Sequence, residues 1–318
     1  MPIDWKIRLL DWLLRRNQPI YHLSLEELHQ LPLTPIPGWI TRLLFGQKIA
    51  LPQVTDRTIP GRQGDIPIRL YHPSLQPNLP LLLFFHGGGW VAGNFQTHDS
   101  LCRRLAHDTG AIVLAVEYRL APWFKYPAAL DDCEDVLLWA AQADSTIGAA
   151  GPILVIGDSA GGNLATALCL RQRSRDGQSS SSSAPIAAQI LLYPVTDGTL
   201  SQPSMSRYAN APLLTKPMMQ FYVQHYARTE SDCRQPEFSP LLAEDLSHLP
   251  PALIITAEYD PLCDDGQHYA ERLRAAGNSV QTTDYAGMVH GFMSFPPFCR
   301  GALPAFAEIA TFVRQFTG

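Results

Sequence analysis

Hydrophobic positions in this chain follow two alternating patterns. Short unbroken apolar runs occur at "LPLLLFFH" (79–86), "AIVLAVEY" (111–118), "PILVIG" (152–157), "AAQILLYP" (187–194), "ALIITAEYD" (252–260) and "SVQTTDYA" (279–286). Between several of them lie amphipathic stretches such as "THDSLCRRLAHDTG", "PAALDDCEDVLLWAAQA" and "DDGQHYAERLRAAG". Strands rich in Val, Ile and Leu that take turns with helices predict a parallel sheet covered on both faces. Ahead of them, "QVTDRTIPGRQGDIPIRLYHP" reads as a hairpin with Gly61 and Gly64 in its turn, joining the sheet at one edge.

Two segments break the rhythm. Residues 1–50 are helical and proline-broken, and residues 196–229 hold one expected helix among several prolines and breakers. Together they are expected to form a cap on a catalytic domain made of 51–195 and 230–318. The serine run "GQSSSSSAP" (177–185) reads as a mobile surface connection. In the N-terminal stretch Ile7, Leu10, Leu13 and Leu14 recur at helical spacing, with Lys6, Arg8, Arg15 and Arg16 nearby. A membrane-surface helix fits that pattern; a helix packed on its own domain fits it more simply and is the expectation.

Composition narrows the class. The chain has 318 residues, of which 46% are hydrophobic and 17% charged, enough for a sizeable core. A formal charge of −5 gives no reason to expect nucleic acid or an anionic membrane as a partner. No signal-peptide apolar region and no 18-residue apolar run is found, so no membrane insertion is expected. Six scattered cysteines show neither CxxC nor zinc spacing, which points to free thiols in the cytoplasm and to no metal site.

The chemistry centres on "VIGDSAGGN" (155–163). A buried strand ends in Gly157-x-Ser159-x-Gly161 and a helix follows, the strand–turn–helix context of a nucleophile elbow. A serine that merely caps the helix would also fit. The tie is broken by "LLLFFHGGGW", in which a strand runs straight into His86-Gly87-Gly88-Gly89. Successive glycines leave backbone N–H groups unshielded, able to approach a developing oxyanion.

With "HGGGW" (86–90), "YRLAP" (118–122), "PAALDD" (127–132), "GDSAGGNLA" (157–165), "DPLCDDG" (260–266) and "HGF" (290–292) in that order, the chain resembles the hormone-sensitive-lipase-like (family IV) esterases of the α/β-hydrolase superfamily. The resemblance spans about residues 80 to 300. One departure is Trp123, where family members commonly carry glutamate after "YRLAP". The fold implied is a mostly parallel eight-stranded sheet with helices on both faces and a helical cap.

The superfamily order of serine, acid, histidine selects the partners of Ser159. His290 follows the last strand, whereas His225, His248 and His268 lie in or beside other elements. Asp260 ends a strand; Glu258 is the weaker rival, and Asp264 and Asp265 open the following helix, where capping is their default role. The resemblance further implies that the backbone N–H groups of Gly88, Gly89 and Ala160 form the oxyanion hole. His86 is expected to fix the glycine loop, Asp158 and Glu117 to be structural, and Tyr193 to shape the site. The expected activity is serine carboxylesterase chemistry on small esters of short-to-medium acyl chains, with no cofactor. A lipase, an amidase or deacetylase, and a non-catalytic receptor on the same fold are the alternatives, the last disfavoured by the presence of His290. Homodimerisation through the last strand is a further possibility.

Overall fold

The computed structural model describes residues 3–14, 19–30, 37–142, 147–176 and 184–317. Eight strands form one sheet: β1 (Gln53–Gly61), β2 (Gly64–His72), β3 (Leu79–Phe85), β4 (Ile112–Val116), β5 (Ala149–Asp158), β6 (Ala188–Leu192), β7 (Ala252–Tyr259) and β8 (Val280–Val289). Their spatial order is β1-β2-β4-β3-β5-β6-β7-β8. The β1–β2 hairpin closes at Gly61 and Gly64 and lies antiparallel at one edge, and every pairing from β4 to β8 is parallel. This is the mostly parallel α/β sheet that the apolar runs predict.

Ten helices accompany it among the described residues: α1 (Trp5–Leu14), α2 (Leu25–Gln30), α3 (Gly38–Phe45), α4 (Phe95–Thr109), α5 (Ala128–Gln142), α6 (Ala160–Asp176), α7 (Pro203–Arg207), α8 (Lys216–Tyr226), α9 (Cys263–Ala275) and α10 (Ala302–Val313). Successive strand side chains point to opposite faces, so the central strands feed two cores. Leu82, Phe84, Leu154 and Ile156 join the core shared with α4 and α10. Leu81, Leu83, Phe85 and Val155 join the core shared with α5, α6 and α9. Unbroken apolar runs are what burial on both faces demands.

The 196–229 segment carries two helices where the sequence suggested one. Pro203 sits at the start of α7, which lasts five residues and leaves little periodicity to detect. Thr215 caps α8 through its hydroxyl, which accepts from the Met218 amide, and Pro217 occupies its first turn. The serine run at 177–183 lies outside the described residues.

Candidate active site

Ser159 stands between β5 and α6 with φ +56, in the left-handed region that a serine enters only under constraint. Its amide donates to Leu192 O (2.8 Å), and its carbonyl accepts from Asn163 (3.1 Å) and Val195 (3.3 Å). The turn is tight because glycine makes it so. A Cβ on Gly161 would land on the Phe85 carbonyl, and one on Gly157 would land on the backbone of Gly161.

Two strand ends bring the partners. Asp260 directly follows β7 and His290 directly follows β8, both at the carboxyl edge of the sheet, where open α/β sheets gather functional groups. His290 Nδ1 lies 2.7 Å from Asp260 Oδ2, and His290 Nε2 lies 2.9 Å from Ser159 Oγ. A carboxylate only accepts, so Nδ1 carries the proton and Nε2 is free to accept from the serine hydroxyl. Asp260 is fully buried, and its second oxygen accepts from the Leu262 amide at 2.8 Å. The Tyr193 ring meets the imidazole edge-on at 4.9 Å.

The other acids and histidines serve elsewhere. Glu258 accepts from the Gly287 amide. Asp264 holds α7 through the Ser204 amide and Arg207, and Asp265 accepts from the amides of Thr196 and Asp197. These two carboxylates therefore tie the 196–207 segment to α9, a different role from the capping that their position suggested. His225 contacts Phe221 O and His268 contacts Gln202.

The glycine loop 86–89 follows β3 and is held from several sides. His86 donates through Nδ1 to Gly87 O (2.8 Å), and the Tyr118 hydroxyl donates to His86 O (2.6 Å). Gly87 N donates to Asp158 Oδ1 at 2.8 Å. Gly88 and Gly89 take φ of +122 and +62. A Cβ on Gly89 would strike the ring of Tyr222. No described residue accepts a hydrogen bond from the amides of Gly88, Gly89 or Ala160; the Ala160 amide is in the first turn of α6, where helix donors lack internal partners.

His98 was not singled out by sequence reasoning, yet it completes this arrangement. Thr97 Oγ1 lies 2.9 Å from Asn94 O and 2.9 Å from His98 Nδ1. His98 Nε2 faces Asp158 Oδ2 at 3.4 Å. A charged imidazole would donate from both ring nitrogens, to Thr97 Oγ1 and Asp158 Oδ2. Burial alone would push the His98 pKa down, but the Asp158 charge and hydrogen bonding raise it. Burial likewise opposes the charged form of Asp158, and His98 outweighs it, leaving that carboxyl below its usual range. Its neighbour His86 is held down to about 3, by burial first and then by the His98 charge.

Ser159, His290 and Gly87–Gly89 line a cavity of about 340 Å³. Its remaining walls are mainly apolar, with Leu14, Phe45, Leu213, Leu214, Met218 and Tyr222 contributed by α1, α3, α8 and the loop before α8. A larger cavity of about 650 Å³ lies along Gln220, Val223 and Gln224 of α8 and contains none of the three side chains; chemistry, not size, decides between them.

Comparison with known proteins agrees with this geometry. The profile of a family described as alpha/beta hydrolase fold matches residues 82–294. The chain belongs to that family. Within it, this hydrolase falls among the hormone-sensitive-lipase-like members. It is 42% identical over 264 residues to the carboxylic ester hydrolase LipN of Mycobacterium tuberculosis, covering 82% of this chain and 70% of LipN. It is 40% identical over 245 residues to an ethyl acetate hydrolase of Pseudomonas putida, covering 76% of each. A hyperthermophilic esterase from Pyrobaculum calidifontis superposes with a TM-score of 0.89 at 36% identity, over 99% of both chains. At the Trp123 departure, the hydrolase exposes both Trp123 and Phe124, and Arg119 lies over the Phe124 ring while binding Asp132 through two nitrogens.

Proposed function

We propose that this chain is a serine carboxylesterase in which Ser159 is the nucleophile, His290 the general base and acid, and Asp260 the group that orients the imidazole. One observation carries the reading: hydroxyl, imidazole and buried carboxylate are contiguous at 2.9 and 2.7 Å. Ser159 attacks an ester carbonyl while His290 Nε2 takes its proton. The amides of Gly88, Gly89 and Ala160 stabilise the oxyanion, each by about 3–4 kcal/mol in the transition state. His290 then protonates the departing alkoxide, leaving an acyl-Ser159, and water repeats the sequence to release the acid. Every group in this cycle belongs to the protein, the substrate or water.

The same reading assigns short-to-medium acyl esters. A 340 Å³ cavity lined by Met218 and Tyr222 suits such chains, and the Pseudomonas relative is named for hydrolysis of ethyl acetate. It also assigns residues 1–50 and 196–229 to a cap over a catalytic domain formed by 51–195 and 230–318. Six unpaired, buried cysteines support a cytoplasmic setting. Among the described residues no helix is long and apolar enough to cross a membrane. A homodimer would pair through β8, the edge strand, and light scattering after gel filtration tests that pairing. Hydrolysis of 4-nitrophenyl butyrate, caprylate and palmitate, with an anilide alongside, tests the substrate class. Butyrate or caprylate should lead; preference for palmitate would make the protein a lipase, and preference for the anilide an amidase.

A further inference from the structure

Helix α1 buries Ile7 and Leu10 against the domain and turns Trp5, Leu9 and Trp12 outward. Asp11 does not belong to the outward face by position. It stands one turn beyond Ile7 and one turn before Leu14, so it shares the packed stripe. A carboxylate on a packed face needs donors there, or its desolvation goes uncompensated. One donor comes from 202 residues further along the chain: the Leu213 amide donates to Asp11 Oδ1 at 3.0 Å.

The residue that supplies this donor is itself in an unusual conformation. Leu213 has φ +67, a left-handed value that glycine adopts freely and a bulky side chain resists. The Leu214 amide donates back to Pro212 O at 2.9 Å, closing a three-residue turn with Leu213 at its centre. With a positive φ at the centre, this is the rare and strained form of that turn. Such strain persists only where the surroundings hold it. The loop is closed at its base, where the Lys216 amide donates to Ala209 O at 2.9 Å, and Leu214 is buried in the core. Asp11 fixes the centre of the turn, and it does so from a different element.

The position of the turn gives it a bearing on chemistry. Leu213 and Leu214 both line the cavity that contains Ser159 and His290, as does Leu14 at the end of α1. Asp11 itself is not part of that lining.

We propose that Asp11 is a positioning residue for ester binding: by accepting from the Leu213 amide, it keeps Leu213 in its left-handed turn and that part of the wall against the bound ester. The proposal rests on the esterase reading. Without this acceptor the turn relaxes towards negative φ, and the Leu213 side chain moves with it. Ester binding then weakens, while Ser159, His290 and Asp260, set on other elements, stay in place. The loss should appear in KM and not in kcat.

The test is steady-state kinetics of the full chain on 4-nitrophenyl butyrate, with circular dichroism to confirm folding. Asp11→Ala should raise KM about fivefold, close to the loss of one buried methylene, with kcat within about twofold of wild type. Asp11→Asn keeps an oxygen acceptor in the same place, and its KM should stay within about twofold of wild type. Leu213→Ala should also raise KM about fivefold. The double variant Asp11→Ala/Leu213→Ala should show no larger rise than Leu213→Ala, since both changes act through one side chain. An unchanged KM in Asp11→Ala or in Leu213→Ala overturns the proposal. So does a failure of Asp11→Asn to preserve KM, a multiplied effect in the double variant, or a loss confined to kcat. If Asp11→Ala does not fold, Asp11→Ser, too short to reach the amide, is held to the same outcomes. A wild type that hydrolyses no ester would sink the esterase reading instead. Equilibrium binding of 4-nitrophenyl butyrate to Ser159→Ala, with and without Asp11→Ala, then reads the wall by itself. A Kd about fivefold weaker supports the proposal; an equal Kd, or no binding, overturns it.

Discussion

The Gly87 amide donates to the Asp158 carboxylate at 2.8 Å, joining the glycine loop after β3 to the serine turn after β5. Under the proposed mechanism these two segments flank the reacting carbonyl, and the hydrogen bond makes them one unit. Asp158→Ala should let the loop shift while leaving the donors present, so the loss should be smaller than the 10²–10³-fold typical of deleting a donor: about tenfold in kcat with KM within about twofold. Steady-state kinetics on 4-nitrophenyl butyrate measures both. Unchanged kcat would mean that Asp158 only supports the fold.

Removing members of the Asp260–His290–Ser159 chain should have larger effects. Ser159→Ala is expected to lower kcat about 10⁴-fold or more, and Asp260→Asn about 10⁴-fold by favouring the wrong imidazole tautomer. Circular dichroism should show both variants folded. A folded Ser159→Ala protein with wild-type turnover would refute the acyl-enzyme mechanism.

Stability should depend on pH through His98 and Asp158. The raised pKa of His98 gives a contribution fully present below its ordinary value of 6.5 and lost as pH rises through the folded value. The lowered pKa of Asp158 gives one present above its ordinary 3.8 and lost as pH falls through the folded value. The margin in Tm of wild type over His98→Gln should therefore be widest between about pH 4 and 6.5 and narrow towards alkaline pH. Glu117 and His86 face the same imidazole; His86 is neutral throughout that window. A Tm difference that is flat with pH would show that His98 is not charged.

Tyr222 is expected to limit acyl length, because its ring rests on Gly89 and walls the cavity. Each additional methylene buried is worth about 0.8 kcal/mol. In Tyr222→Ala the ratio of kcat/KM for caprylate over butyrate should rise about tenfold. A ratio that stays put would move the limit to another wall.

Gly161→Ala is predicted to fail at folding rather than at chemistry. Its methyl would overlap the Phe85 carbonyl and approach His86 O to 2.8 Å, and backbone cannot step aside as a flexible side chain can. Soluble yield and thermal melts measure this; a variant with wild-type Tm would contradict the packing described.

Much of this was legible in the sequence because it depends on local patterns. The apolar runs gave the parallel strands, and the glycines around Ser159 gave a turn that no other residue fits. Asp260 and His290 could be placed because each ends a strand. Other features depend on distance in the chain. Asp158 and His98 lie 60 residues apart, and nothing local announces that a histidine inside α4 faces the residue before the serine. The ties from Asp264 and Asp265 to 196–207 were missed for the same reason: a carboxylate in a first helical turn looks like a cap until its partners are visible. The exposed tryptophans of α1 could not be told from core residues, since helical spacing marks an apolar face and not what covers it.

Asp260, Asp264 and Asp265 sit within six residues of one another, yet the first serves the imidazole while the other two grip the segment before α8. Any exchange of that segment for a longer or shorter one, in evolution or by design, must bring new donors for two buried carboxylates or leave their repulsion next to the reacting centre. That segment is therefore less free to vary than an ordinary connection between elements, and changes of substrate range should come more readily from the side chains of α8 that line the cavity than from its wholesale replacement.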